Sequence, residues 1–409
     1  MNKRMDRTRL NIGTYILDEY ARTEKHIRDL ADCGIDFVVC MQDDRPALDL
    51  FDKYHVGAIL TGVLPGWWGG DGNNAGKLAE TNPIEKYEQA AASFKDHPAV
   101  WGIDCGDEPS ALDFPYYGKV LRRVDQLFPN QFGYLNLYPN YASVAVNTDA
   151  QTVNQLGTAT YAEHIAEYVK NVGTDYICYD FYMYSTTVAA AYENLQIVAD
   201  ACRSTGRSMW IVLQVNSNRP AEWISENQLR FQAYSAMAFG AENIIWACYT
   251  AGWWHNQVLD DKGEKTEQYD KLKKINAELA ALGREYMRFE RTSTHFIGDP
   301  AAPDYARLIH PPVDSLSDGV FMDVRAEHGE SLIAGQMVSR TRDGSRALML
   351  CAADDSWDRD NRTYNVLFRA DGCRVRAVSG CGEVPLTRLA DGSYSLPIRS
   401  CGGVLLIAE

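Results

Sequence analysis

The chain reads as a (β/α)8 barrel followed by a small antiparallel β-sandwich. Three observations predict this: short apolar runs alternating with amphipathic helical segments up to about residue 290, a one-sided distribution of loop lengths, and a change of pattern after about residue 291. A length of 409 residues suits a barrel of about 250–300 residues plus a smaller module. The expected division is residues 1–290 for a catalytic barrel and 291–409 for a C-terminal β-sandwich.

The β-rich runs are LNIGTYIL (10–17), DFVVC (36–40), AILTG (58–62), VWGIDCG (100–106), FGYLNLY (132–138), YICYDFYMY (176–184), SMWIVLQV (208–215) and NIIWACYT (243–250). Several are apolar almost throughout, as parallel strands buried on both faces require. Between them, Asn82-Pro83 supplies an N-cap and a first helical residue, with Ile84, Tyr87, Ala91 and Phe94 along one face. Thr160 and Glu163 have the spacing of a capping box. Tyr269, Leu272, Ile275, Leu279 and Leu282 mark the last helix.

Helix-to-strand returns take a few residues, whereas the strand-to-helix loops 63–81, 139–159, 215–225 and 251–266 are long. In a (β/α)8 barrel those loops all emerge on the face that carries the active site. A doubly wound open sheet is the rival, but the Gly-rich first turn that binds nucleotides in that fold is missing. Beyond residue 291, Asp343-Gly344, Asp371-Gly372 and Asp391-Gly392 punctuate short alternating strands as hairpin signals. Leu396 to Ala408 reads as a final strand pair around Gly402-Gly403.

Composition narrows the partners. A net charge of −15 with scattered basic residues repels polyanions and argues against nucleic acid. No apolar run approaches the roughly 18–20 residues of a membrane span, and the first residues lack a signal-peptide core. The ten cysteines stand singly, four of them (Cys40, Cys105, Cys178, Cys248) inside strand-like runs where a thiol packs as a small hydrophobe. A cytoplasmic protein is the expectation, with no cofactor implied and an oligomeric state that cannot be read. HxH, HExxH, GxxxxGK[ST] and GxSxG motifs are absent.

The strongest local signal is WGIDCGDEPS (101–110). An apolar strand ends in Gly106-Asp107-Glu108-Pro109, so two adjacent acids sit at its tip, with a proline that stops the strand. A general acid needs a carboxyl group whose pKa is raised by a partly apolar, charged pocket, and a strand tip in a cleft provides one. The bland alternative is an acid satisfying amides at a helix N-terminus.

This strand-four DEP resembles the Asn-Glu-Pro signature of clan A glycoside hydrolases, whose acid/base glutamate follows the fourth barrel strand. HPAVWGIDCGDEPS, YLNLYPNY, YICYDFYMY, RFQAYSAMAFGAENIIWACYT and KTEQYDKLKKINAELA look like bacterial relatives near the family 42 β-galactosidases. The resemblance implies Glu108 as proton donor. It also exposes a departure: clan A enzymes carry a nucleophilic glutamate at the tip of strand seven, where this chain has Gln214, and an amide does not form a glycosyl ester as a carboxylate does. Asp180, in YDFYMY on strand six, is the first candidate for the second carboxylate. Glu222 and Glu226, after strand seven, are the next. Asp180 could equally be a polar core residue bonded to neighbouring tyrosines. A separation of about 5–5.5 Å between the carboxyls would favour retention and about 6.5–9.5 Å inversion.

Around these acids the loops carry Trp67-Trp68 after strand three and Trp253-Trp254-His255 after strand eight. Sugar C–H faces stack on aromatic rings, so one tryptophan of each pair facing sugar and the other anchoring its loop is the natural division. Packing of loop against loop is the alternative. Tyr15, Asn136, Tyr138, Tyr182, Gln214 and Tyr249 are candidate partners for sugar hydroxyls or, equally, for barrel neighbours, and Asp107 stands beside the acid. The functional expectation is a glycosidase for short oligosaccharides or glycosides. A sugar-binding barrel without a nucleophile is its rival from another class, and a lyase or transglycosidase on the same scaffold is a third reading.

Overall fold

The computed structural model describes residues 6–70, 72–90, 95–143, 155–250, 252–358 and 361–409. Eight parallel strands close into a barrel in chain order: β1 Asn11–Tyr15, β2 Phe37–Met41, β3 Gly57–Leu60, β4 Val100–Asp107, β5 Phe132–Leu137, β6 Tyr176–Phe181, β7 Ser208–Gln214 and β8 Ala241–Ala247. Closure is explicit in the register, since β1 pairs Gly13 with Phe37 on one side and Asn11 with Asn243 on the other.

Alternate strand residues fill the barrel. Phe37, Val39, Ile59, Phe132, Tyr134, Tyr176, Trp210, Val212 and Ile245 form one interior cluster. Tyr176 and Trp210 stack with ring centroids 4.1 Å apart. Rings of this size each withdraw roughly 150–250 Å² from water, which at about 25 cal/mol per Å² contributes on the order of 4–6 kcal/mol before ordering costs. Gly13 makes room for one of them, because a Cβ there would lie 2.3 Å from the Phe37 ring.

The outer helices follow their sequence signals with one correction. Thr160 and Glu163 form a reciprocal capping box at the start of Tyr161–Asn171. Helix Glu267–Tyr286 buries Tyr269, Leu272, Ile275, Leu279 and Leu282. Asn82, however, is not the cap: Pro83 holds that position for Ile84–Glu88, and the Asn82 amide donates to Gly66 O at 3.0 Å, fastening the loop after β3. Ala91 and Phe94 lie outside the described residues.

From β9 (Phe289–Ile297) onward the chain is antiparallel. Adding β10 Phe321–Ala326, β11 Leu332–Ser339, β12 Arg346–Ala352, β13 Thr363–Ala370, β14 Val375–Ser379, β15 Gly382–Val384, β16 Thr387–Arg388, β17 Tyr394–Arg399 and β18 Gly403–Ala408, it builds sheets ordered β10-β13-β17-β16 and β15-β14-β18-β12-β11-β9. Asp343-Gly344 and Asp391-Gly392 join hydrogen-bonded neighbours, as hairpins do. Asp371-Gly372 and Gly402-Gly403 instead carry the chain from one sheet to the other. The expected final strand pair is therefore a crossover, because β18 takes its partners from β12 and β14.

The six-stranded sheet lies on helix Glu226–Ala238, with Gly335 so close that a Cβ would sit 2.2 Å from Ala238 O. Covered on both sides, that helix buries every residue from Asn227 to Ala238 and so lacks the polar stripe of a surface helix. All ten cysteines are unpaired. Among the described residues no helix is long and apolar enough to cross a membrane.

Candidate active site

The C-terminal tips of β4, β5 and β6 bring three carboxylates together. Asp104 and Asp107 are three residues apart and would face opposite sides of a regular strand. A register shift between them, with Gly106 at φ +143°, lets both face inward, which is what a β-bulge does beside a site. The next residue, Glu108, holds φ +46°, a region that non-glycine residues seldom occupy and that recurs where side chains must be aimed. Its backbone N–H donates to Asn136 O at 2.9 Å.

The loop after β3 locks this tip. Asp107 N–H donates to Trp67 O, and Asp107 O accepts from Gly69 N–H, each at 2.9 Å. A Cβ on Gly69 would fall 1.5 Å from Glu108 O, so only glycine permits the approach. Trp67 is buried and anchors the loop. Trp68, at 61% exposure, donates through Nε1 to Glu108 Oε2 at 3.1 Å.

Asn136 on β5 ties the acids to one another. Its Nδ2 donates to Asp180 Oδ1 at 2.8 Å and to Asp107 Oδ1 at 3.2 Å, while its Oδ1 accepts from Cys178 Sγ at 3.4 Å. Burial, with Asp180 and Asp104 as neighbouring charges, pushes the Asp107 carboxyl up to about 7. Burial raises Asp180 to about 6, opposed by its bond from Asn136. Glu108 is pushed well above the carboxylate range by burial first, then by the charges of Asp180 and Asp107. Crowded acids in a low-dielectric pocket cannot all ionise at neutral pH, so at least one carries a proton.

An aromatic wall faces them. Tyr182 meets Trp254 edge-on at 4.7 Å and Trp253 at 6.1 Å, and Trp253 meets Tyr15 at 6.0 Å. Tyr15 OH is hydrogen-bonded to Tyr134 OH at 2.7 Å, so Tyr15 forms the floor. His255 is exposed on the rim, its backbone paired with Ser217.

Other residues singled out in the sequence are placed elsewhere. Tyr138 donates to Gly70 O at 2.6 Å and serves the β3 loop. Tyr249 is fully buried in the cluster between strands and helices. The inward–outward alternation breaks after Ala247, since Ala247 and Cys248 both join the interior cluster and the following residue turns away. Gln214 is fully buried: Oε1 accepts from Tyr184 N–H at 3.1 Å, and Nε2 donates to Ser185 Oγ at 3.1 Å and to Asn216 O at 3.0 Å. Glu222 pairs with Arg219 at 3.1 Å, and Glu226 with Lys274 at 2.7 Å. Two residues not anticipated join the site. Asp104 accepts from Thr61 Oγ1 at 3.1 Å, and Tyr141 lies close enough to Asp180 and Glu108 for both to perturb its hydroxyl. The signal for Asp104 is Gly106, whose bulge turns both aspartates to one side; the sequence carries no such signal for Tyr141. Among the described residues no group of three or more His, Cys, Asp or Glu could hold a metal ion.

No protein-family profile matches the chain, and no curated protein matches it in sequence. Solved structures do. A cycloisomaltooligosaccharide glucanotransferase from Paenibacillus sp., complexed with cycloisomaltoheptaose, aligns over 98% of this chain and 85% of its own at 8% identity and TM-score 0.55. A putative α-galactosidase from Bacteroides fragilis aligns over 98% and 79% at 10% identity and TM-score 0.50. A glycoside hydrolase family 30 subfamily 8 xylanase from Clostridium acetobutylicum aligns over 98% and 96% at 11% identity and TM-score 0.46. At such identities the first two likenesses show the fold alone: the chain shares its architecture with those two proteins.

Proposed function

We propose that the protein is a glycosidase for short oligosaccharides or glycosides, related to the clan A enzymes and within them to the family 42 β-galactosidases. The observation that carries this reading is the convergence of Glu108, Asp107 and Asp180 on one end of the barrel, opposite an aromatic wall, with pKa values displaced to different extents. Acids whose environments push them apart are the pattern of a general acid beside an ionised partner.

In this scheme Glu108 enters protonated and delivers its proton to the glycosidic oxygen as the bond to the anomeric carbon breaks. Asp180, the less elevated acid, carries the negative charge that stabilises or attacks that carbon, held in place by Asn136. Water then enters the sugar carbon and returns a proton to Glu108. Asp107 shares the Asn136 amide and keeps Glu108 protonated. Trp68, Tyr182, Trp253 and Trp254 stack against sugar, and His255 reaches hydroxyls at the rim. Residues 1–290 act as the catalytic unit and 291–409 as its cover. Ten unpaired cysteines favour action in the reducing cytoplasm, with neither nucleic acid nor membrane as partner.

The test is Glu108→Gln on an aryl glycoside with a good leaving group. Turnover should fall by about 10²–10⁴-fold and recover with an external nucleophile such as azide; unchanged turnover rejects the assignment. One observation favours a different class: Gln214 has its whole amide engaged in local structure, leaving strand seven without a carboxylate, as a sugar-binding barrel would have it. Ligand-induced stabilisation without hydrolysis across a glycoside panel selects that reading.

A further inference from the structure

Between the loop after β3 and the tip of β4 lies a cavity of about 450 Å³, within the roughly 300–1,000 Å³ of small-molecule sites. Its wall includes Thr61, Leu64, Trp67, Trp68 and Asp104. The barrel runs in the order β3-β4-β5-β6, so the cavity lies on the β3 side of Glu108 and Asp180 on the β6 side. Trp68 connects the two places. It lines the cavity while its Nε1 donates to Glu108 Oε2 at 3.1 Å.

The pair Thr61 and Asp104 gives this wall a place that accepts hydrogen bonds. Asp104 Oδ2 accepts from Thr61 Oγ1 at 3.1 Å, and Oδ1 from Gly106 N–H at 3.0 Å. A carboxylate has about four lone-pair positions and a hydroxyl has a single proton. Two bonds therefore leave Asp104 with acceptor capacity, and Thr61, its proton committed, is an acceptor as well. Both residues keep part of their surface open to solvent. Leu64 and the two indoles supply apolar wall beside them. Acceptors next to aromatic rings suit a sugar ring, which has hydroxyl donors on its edge and C–H groups on its face.

A purely structural role for Asp104 explains less. The bond from Gly106 holds the bulge, but an asparagine oxygen would take it equally well. Burial raises the Asp104 carboxyl above its ordinary value, a cost that an asparagine avoids. A carboxyl group kept against that cost, on a cavity wall, is accounted for by a ligand that donates to it.

We infer that this cavity holds the leaving sugar of the substrate, and that Asp104 selects it by accepting bonds from its hydroxyls. This rests on the glycosidase reading and names the part of the substrate which that reading leaves open. In that scheme the anomeric carbon sits over Asp180, towards β6 and the aromatic wall. The glycosidic oxygen meets Glu108, so whatever that oxygen carries continues towards β3. A disaccharide sends a second sugar into the cavity, and a nitrophenyl glycoside sends a ring without hydroxyls.

The experiment compares kcat/KM of the whole protein on disaccharides and on the nitrophenyl glycosides of the same non-reducing sugars, in the unmodified protein, Asp104→Asn and Thr61→Val. Titration of the disaccharides into the same proteins carrying Glu108→Gln reads binding without turnover. The ratio of the two kcat/KM values cancels changes at Glu108 and Asp107, which both substrates share. Asp104→Asn should lower the disaccharide-to-nitrophenyl ratio at least about tenfold, the worth of a bond to a charged acceptor. Thr61→Val should move it the same way, with disaccharide binding weakened in step. Folded variants that hydrolyse both substrates at the original ratio overturn the inference and leave the glycosidase reading intact. If no glycoside is hydrolysed, that reading falls and the titrations decide the cavity. Disaccharide binding that Asp104→Asn weakens then retains it as a sugar site, and binding that is unchanged or absent removes it.

Discussion

Replacing Asp180 by asparagine should stabilise the folded protein at alkaline pH while abolishing turnover. Burial holds the Asp180 carboxyl near 6 against an ordinary 3.8, and the side chain is 6% exposed. Because the folded state binds this proton more tightly than the unfolded chain, the native protein loses stability as pH climbs from the unfolded value towards 6, and the loss is complete above it. Two pH units correspond to roughly 3 kcal/mol, of which about 2 kcal/mol develops between pH 4.5 and 8. An asparagine keeps an oxygen for the 2.8 Å bond from Asn136 but never ionises. Urea denaturation of both proteins at pH 4.5 and 8 should therefore show the variant's advantage growing by about 2 kcal/mol. Removing the charge also relieves Glu108, for which Asp180 is the foremost neighbouring charge. An advantage that is constant with pH, or a variant that is weaker at pH 8, would refute the view of Asp180 as a carboxylate kept ionised at a cost.

Three further substitutions probe the site. Trp68→Phe removes the donor whose bond opposes the upward shift of the Glu108 pKa, so that pKa should rise further and the alkaline limb of kcat/KM should move to higher pH; a limb moving the other way contradicts the assignment. Gly69→Ala drives a Cβ onto Glu108 O and should cost several kcal/mol of overpacking, read as a lowered Tm together with lost turnover. Gln214→Glu should not create a nucleophile: it sets a carboxylate against the Asn216 carbonyl in a fully buried position. A loss of about 1–3 kcal/mol or more in stability is expected, and a gain of hydrolytic activity would disprove this.

The barrel strands were legible because their signals are local: each run is apolar, short and bounded by loops. Glu108 stood out for the same reason, as two acids and a proline ending an apolar strand need no long-range information. Residues that depend on how the strand ends turn were not legible. Tyr249 belongs to β8 by sequence, yet the alternation breaks after Ala247 and carries it out among the helices. Asp104 looks like a strand-interior acid until the bulge at Gly106 swings it inward. Gln214 was recognised as a departure from the family pattern, but its partners Tyr184, Ser185 and Asn216 come from turns whose shape the sequence does not announce. The crossover at Gly402-Gly403 resembles a hairpin in sequence because two short β segments flanking glycines look the same in either case; only pairing with β12 and β14 separates them.

The zipping of residues 67–69 onto the β4 tip has an evolutionary consequence. The stretch that frames the entrance also holds the backbone of Glu108, the proposed proton donor, so entrance shape and acid placement are inherited together. A mutation that enlarges the doorway here would at the same time detune the acid behind it. New substrate preferences are more readily acquired from the opposite bank, around residues 253–255, where the loop carries aromatic rings but none of the acids clustered at the strand tips.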